Sequence, residues 1–237
     1  MTQYIYGRNT VHQILEDGGR AKVIYLSSPD DKAEKLAAMR HIPVKQVDKK
    51  TMAKMVRSDH HQGICAEIAP YQTYSVDNLI EHVEDGRGLL IMLDELEDPH
   101  NLGAILRTAD AVGADGVIFK KNNAVGLTPA AAKVSAGAID TVKCACVTNL
   151  SRTCEDLKKK GWWIVGADMD GQDYRALHYD VNTVLVIGNE GKGISRLLSK
   201  QCDYMVSLPM VGKITSLNAS VSAGILMYEI FSKRHPL

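Results

Sequence analysis

The chain has 237 residues, 45% hydrophobic and 24% charged, with 28 Lys and Arg balanced by 28 Asp and Glu. Such a chain can bury a core in one large domain or two small ones, and a net charge of zero gives no overall pull toward nucleic acid. No apolar run approaches the about 18 residues of a membrane span, and there is no internal repeat or low-complexity segment.

The distribution of charge says more than its total. Residues 1–72 hold eleven Lys or Arg against eight Asp or Glu, and four of the eight histidines. This modest basic excess suits RNA and equally suits ordinary surface variation. The five cysteines form no Cys-x-x-Cys pair and read as free thiols of a reducing cytosol. Cys144 and Cys146 alternate in an apolar run, which places both on one strand face as core residues. The segment Met1–Arg8 lacks the shape of a signal peptide, so the expected location is the cytoplasm.

In chain order, Asn9 can cap a helix through Leu15 that stops at Gly18-Gly19. Val23–Leu26 reads as a strand, and Asp30 or Asp31 opens a helix through Met39. A strand at Val44–Val47, a helix from the cap Asp48 through Val56 and a strand at Ile64–Ile68 complete a small alternating α/β unit over residues 1–72. Residues 73–87 read as the linker between domains, holding a short acidic helical pattern from Val76 to Val83. From Leu89 the alternation resumes. Strands are expected near 89–93, 116–119, 142–147, 162–167, 183–187 and 204–208, with helices near 102–112, 129–135, 151–160 and 193–199 and a last one near 217–233. That pattern gives residues 88–237 a mostly parallel six-strand α/β sheet.

Three strand ends carry polar, glycine-bearing loops that open into helical patterns, the places where open α/β sheets bind small ligands. The first holds Asp94, Glu95, Glu97 and Asp98, which resemble an acidic metal site and read better as a solvated loop face; it leads to Asn101-Leu102-Gly103-(x)3-Arg107. The second is Gly188-Asn189-Glu190-Gly191. The third is Pro209-Met210-x-Gly212-(x)3-Ser216-Leu217-Asn218-x-Ser220-x-x-Ala223-Gly224, with Ser216 or Asn218 available as N-cap.

In order and spacing these three blocks resemble the SpoU (TrmH) family of S-adenosylmethionine-dependent RNA 2′-O-ribose methyltransferases, over residues 89–233. The resemblance implies the deep trefoil knot of the SPOUT class, S-adenosylmethionine as cofactor and no metal. Tyr6-Gly7-Arg8-Asn9-x-Val11 and His61-Gln62-Gly63 resemble the RNA substrate-binding domain, of ribosomal-protein-like fold, that many of these enzymes carry. Arg8 and His61 are its candidates for contact with RNA phosphate, or else structural surface residues. The N-terminal unit is similar to that of enzymes methylating a guanosine in 23S ribosomal RNA; transfer RNA is the alternative substrate.

Methyl transfer to a ribose hydroxyl is an in-line displacement. It needs the donor methyl exposed, the 2′-oxygen about 3 Å away and help with a proton. Backbone groups of small-residue loops suffice to grip adenosine. The expected walls are Gly166, Ala167, Asp168 and Met169, then Ile187, Gly188, Asn189, Glu190 and Gly191, then Leu208, Pro209 and Met210 with Ser216, Leu217 and Asn218. Arg107 is the expected reactive residue: the resemblance implies that it handles the 2′-hydroxyl proton. A guanidinium stays protonated far above neutrality, so clamping the neighbouring phosphate and the 2′-oxygen is the favoured role. Asn101 and Glu190 would position Arg107 and the ribose, and Ser216 and Asn218 would shape the loop and contact substrate. The bland readings are a surface arginine for Arg107 and a simple helix cap for Asn218.

Two rivals are weaker. A phosphate cradle at Gly188–Gly193 lacks the Gly-(x)4-Gly-Lys-[Ser/Thr] spacing, because Ile194 follows Gly193. A non-catalytic RNA-binding module has no need of Arg107, Glu190 and Asn218 together, and 5% aromatic content leaves little for base stacking. The last helix carries Val221, Ile225, Leu226, Tyr228, Ile230 and Phe231, apolar around more of its circumference than a one-sided helix needs. A homodimer through the C-terminal domain is therefore expected, and the resemblance implies sites completed at that interface.

Overall fold

The computed structural model describes residues 3–16, 20–83, 85–122, 124–214 and 216–236. The chain forms two compact units, Met1–Tyr71 and Gln72–Leu237.

In the first unit, β1 (Gln3–Tyr6), α1 (Arg8–Glu16), β2 (Ala21–Leu26), α2 (Asp31–Met39), β3 (Val44–Gln46), α3 (Lys49–Val56) and β4 (Ile64–Ile68) follow in order. The sheet order is β1-β4-β2-β3, with β4 antiparallel to both neighbours and β2 parallel to β3. Val11 and Leu15 lie one helical turn apart on α1 and pack on Ile24, Leu26 and Ile64. The side chains of Asp30 and Asp48 accept backbone amides at the starts of α2 and α3, as expected. Two expectations change. Strand β1 was not anticipated, and α1 starts at Arg8, so Asn9 lies inside its first turn instead of capping it. The stop at Gly18-Gly19 lies outside the described residues.

The second unit takes in the stretch expected as a linker. The Tyr74 amide donates to Cys144 O (2.8 Å). Ser75 and Asn78 form a capping box at α4 (Val76–Ile80), and Leu79 is buried in the core. Then come β5 (Leu89–Leu93), α5 (Pro99–Ala111), β6 (Gly116–Lys120), α6 (Pro129–Ser135), α7 (Ala138–Thr141), β7 (Cys144–Val147), α8 (Leu150–Lys158), β8 (Trp163–Asp173), β9 (Thr183–Ile187), α9 (Arg196–Ser199), β10 (Tyr204–Ser207) and α10 (Ala219–Arg234). The six strands run in the order β10-β8-β9-β5-β6-β7, and every pairing is parallel. Every residue of β5 and β9 is buried, as their unbroken apolar runs demand of strands covered on both faces.

Several boundaries move for local reasons. Helix α5 starts at Pro99, three residues early, because Asp98 caps it and proline suits the first helical position. Gly103 lets α6 approach: a Cβ there would lie 2.6 Å from Ala131 O and 2.7 Å from Val134 Cβ. Cys144 is buried but Cys146 is exposed, since β7 is the sheet's edge and its far end is not sandwiched. Strand β8 outruns its expected end. Its pairing with β10 jumps from Gly166↔Met205 to Gln172↔Val206, so residues 167–171 bulge from the sheet. Among the described residues, no helix is long and apolar enough to cross a membrane.

The last helix is pinned at its far end. Arg234 donates from Nε to Tyr179 O (2.8 Å), from Nη1 to Arg87 O (2.5 Å), and from Nη2 to Val181 O (2.8 Å) and Thr183 Oγ1 (3.0 Å). Burial lowers its pKa to about 10, which leaves it a cation at neutral pH. Five donors in a fixed fork reach acceptors that an ammonium cannot span. Arg234→Ala should cost about 3 kcal/mol, as loss of several charge-assisted hydrogen bonds implies, and Arg234→Lys should recover less than half. Urea unfolding at an unchanged slope measures both; an alanine variant within about 0.5 kcal/mol of the parent, the range of an inert surface change, would remove the clasp from the stability of the fold.

Candidate active site

The carboxyl ends of β8, β9 and β10 and the first turns of α10 enclose a cavity of about 360 Å³, large enough for a nucleoside-sized ligand. It lies beside the point where the strand order reverses around β5, the expected place for a ligand in an open parallel sheet. Its lining is apolar at Ile187, Val206, Leu208, Leu217 and Leu226 and polar at Asp168, Asn189, Glu190, Lys192 and the backbone of Gly191 and Gly193.

The loop after β9 owes its shape to Asn189. Its Oδ1 accepts the amides of Gly191 (2.9 Å) and Lys192 (3.2 Å), and its Nδ2 donates to Glu95 O (2.9 Å). The backbones of Asn189 and Gly193 exchange two further bonds (3.0 and 2.9 Å), closing the loop on itself. Gly193 takes φ +66, so α9 starts only at Arg196 and not near residue 193. Gly188 admits no side chain: a Cβ would lie 2.3 Å from the Gly193 carbonyl carbon.

The acidic loop after β5 is only partly a solvated face. Asp94 is 3% exposed and accepts the Ser195 amide (2.7 Å), tying the β5 and β9 loops together. Asp98 caps α5, and Glu95 lies 3.4 Å from Lys120 Nζ. Among the described residues no three His, Cys, Asp or Glu side chains are grouped to hold a metal ion.

Asn101 is 6% exposed in the first turn of α5, not in the loop before it, and its Nδ2 donates to Glu190 Oε1. These two expected partners meet. Arg107 does not join them. Six residues further on, it points about 120° around the helix from Asn101, is exposed, is absent from the cavity wall, and has no hydrogen-bond or ion-pair partner among the described residues.

Of the expected walls, Ala167, Asp168, Met169, Ile187, Gly188, Asn189, Glu190, Gly191, Leu208, Met210, Ser216 and Leu217 line the cavity. Three do not. Gly166 is buried behind it, where a Cβ would lie 2.7 Å from Met205 Sδ. Pro209 is exposed between two lining residues. Asn218 caps α10, its Oδ1 accepting the Ser220 amide (2.9 Å) and hydroxyl (2.6 Å). Unforeseen on α10 were Ala219, Ser222 and Leu226, whose i, i+3, i+7 spacing marks one helix face. Lys192, Gly193 and Val206 were also missing from the expected set.

In the first unit, Arg8 keeps a half-exposed side chain 3.6 Å from the buried carboxylate of Asp30. His61 is 6% exposed, and its Nδ1 accepts the Gly63 amide (3.1 Å), which makes it a turn-holding group with little surface to offer.

Two family profiles match this chain. That of the SpoU rRNA methylase family covers residues 88–228, and that of the RNA 2′-O ribose methyltransferase substrate-binding domain covers residues 4–74. The Bacillus subtilis (strain 168) protein YacO, named for the TrmH family of tRNA/rRNA methyltransferases, is 43% identical over 99% of this chain and 97% of its own. A Staphylococcus haemolyticus (strain JCSC1435) protein of the same family name is 42% identical over 98% and 96%. Among solved structures, the AdoMet-bound rRNA methyltransferase of Sinorhizobium meliloti superposes with a TM-score of 0.64 at 26% identity, covering 100% of this chain and 88% of that one. With the profile spanning most of the second unit and full-length relatives above two-fifths identity, the chain belongs to the SpoU rRNA methylase family.

Proposed function

We propose that this protein transfers a methyl group from S-adenosylmethionine to the ribose 2′-hydroxyl of an RNA nucleotide, a guanosine of 23S ribosomal RNA, in the cytoplasm. The observation that carries the reading is the cavity itself, in which the second and third motif blocks supply walls of one pocket while Asn101 of the first holds Glu190 at its rim. The apolar lining of Ile187, Leu208 and Leu226 suits an adenine ring, and the flush backbone at Gly188 permits close approach. The names of the curated relatives cover both tRNA and rRNA, so a transfer RNA target is the second reading.

S-adenosylmethionine, when bound, supplies the electrophilic methyl. The protein's part is placement and electrostatics. Asn189 holds the β9 loop against the β5 loop. Asn101 fixes the Glu190 carboxylate at the cavity rim, where it can accept from a ribose hydroxyl. Ser216 offers a hydroxyl from the wall. Arg107, permanently cationic, clamps the substrate phosphate and the 2′-oxygen, and the proton leaves to that phosphate or to water.

The separation of Arg107 from its own chain's cavity supports a second copy completing the site. Helix α10 leaves Val221 (48%), Ile225 (38%) and Tyr228 (50%) exposed, a face suited to a two-fold contact. The N-terminal unit supplies RNA affinity, with Arg8 as one contact. The strand order, with β9 inserted between β5 and β8 and α10 returning to pack on α5 and β9, supports a trefoil-knotted C-terminal domain.

Mass mapping of 2′-O-methyl groups on total RNA from cells with and without the protein tests the reading directly. One ribosomal guanosine should lose its methyl; an unchanged map would sink the proposal, and a change confined to tRNA would favour the second reading. Arg107→Ala should slow methyl transfer by on the order of 10²–10³ while cofactor affinity stays within a few-fold; near-normal turnover would reject its role. Light scattering should report about twice the 26.0 kDa chain mass, and Tyr228→Glu should lower both that mass and activity. A fully active monomer would defeat the shared site.

A further inference from the structure

Two opposite charges among the cavity's lining residues, Asp168 and Lys192, make no ion pair among the described residues. Asp168 sits in the bulge of β8. Its Oδ1 accepts the Asp170 amide (3.1 Å), which fixes the carboxylate, and its Oδ2 lies 3.7 Å from where a Cβ of Gly193 would stand. The bulge is itself anchored. Ser207 Oγ donates to Gly171 O (2.8 Å), and Gly171 lies flush on β10, where a Cβ would meet the Val206 carbonyl carbon at 2.5 Å. Lys192 precedes Gly193 on the adjoining loop. Its amide is held by Asn189 Oδ1 (3.2 Å), while its ammonium makes no ion pair among the described residues. The remaining carboxylate of the lining, Glu190, is already engaged by Asn101.

A half-buried carboxylate and an exposed ammonium left unpaired on neighbouring loops of one cavity complement a zwitterion, because each sign of charge is there to meet its opposite on the ligand. Resting on the cofactor reading above, we infer that Asp168 and Lys192 are specificity residues for the amino-acid end of S-adenosylmethionine, Asp168 receiving the α-ammonium and Lys192 the α-carboxylate. The apolar side chains of the lining then take adenine. A carboxylate aimed at the sulfonium would act differently. It would stabilise a charge that vanishes as the methyl leaves, binding the ground state at the expense of the transition state. The α-ammonium keeps its charge throughout, so this contact contributes affinity without opposing the transfer. Two carboxylates in the lining disfavour a nucleoside triphosphate.

Calorimetry on the full chain tests this with two probes, S-adenosylhomocysteine and 5′-methylthioadenosine, which shares the adenosine and thioether but lacks the amino-acid end. Asp168→Asn, nearly isosteric, should weaken S-adenosylhomocysteine about 10-fold, the scale of one charge-assisted hydrogen bond, and leave methylthioadenosine within twofold. Lys192→Gln, at an exposed loop side chain, should do the same. Equal losses for both probes would move the carboxylate to the ribose hydroxyls or reveal a collapsed pocket, and no loss for either would free both residues of the role; each result overturns the inference while leaving the cofactor reading intact. A parent protein that ignores both probes, or prefers ATP, overturns the cofactor reading and this inference with it.

Discussion

The cavity exists because one amide side chain satisfies two irregular loops at once. Asn189 accepts two amides of its own loop and donates to Glu95 O on the next one. Only a primary amide does both: a carboxylate at that position would lose the donor and face the Glu95 carbonyl with like partial charge. The bond also bears on Glu95, which adopts φ +57 outside the usual range of a residue with a side chain. Such a conformation costs about 1–3 kcal/mol and persists only where neighbours over-determine it. Here the neighbours are Asn189 on the backbone and Lys120 beside the carboxylate.

Below this junction the sheet is built for rigidity. Strands β5 and β9 are buried on both faces, and Asp94, at the end of β5, crosses to the Ser195 amide beyond β9. The central strands therefore present their loops as one fixed edge. The flanking strand β8 does the opposite and departs from the sheet for five residues before rejoining β10. A rigid edge on one side and a bulge on the other make a concavity that a regular parallel sheet lacks. Helix α10 closes it from the far side with Ala219, Ser222 and Leu226.

Much of this was legible in the residues because it is local. Unbroken apolar runs at Leu89–Leu93 and Thr183–Ile187 could only be strands buried on both faces, and Asp30 and Asp48 announced their helices by cap chemistry. Asp98-Pro99 announced α5 in the same way, and placing the helix start three residues later missed a cap and an N1 proline that stood in plain view. What was not legible depends on pairing across the chain. The bulge at residues 167–171 is a register jump against a strand nearly forty residues away, so Gly166 looks like a loop glycine while serving as a packing contact beneath Met205. Asp94 reads as one more acid on a polar loop, and its burial follows from an amide a hundred residues downstream. Arg107 is the sharpest case: the motif joins it to Asn101 in sequence, and the helix turns them apart in space.

The clasp at Arg234 has a bearing on truncation. All six strands precede residue 208, yet the wall formed by Ala219, Ser222 and Leu226 and the latch on Arg87, Tyr179 and Val181 belong to the helix that ends at Arg234. A chain truncated before residue 219 therefore lacks that wall and the latch together, and a single late segment decides both the completeness of the cavity and the closure of the fold.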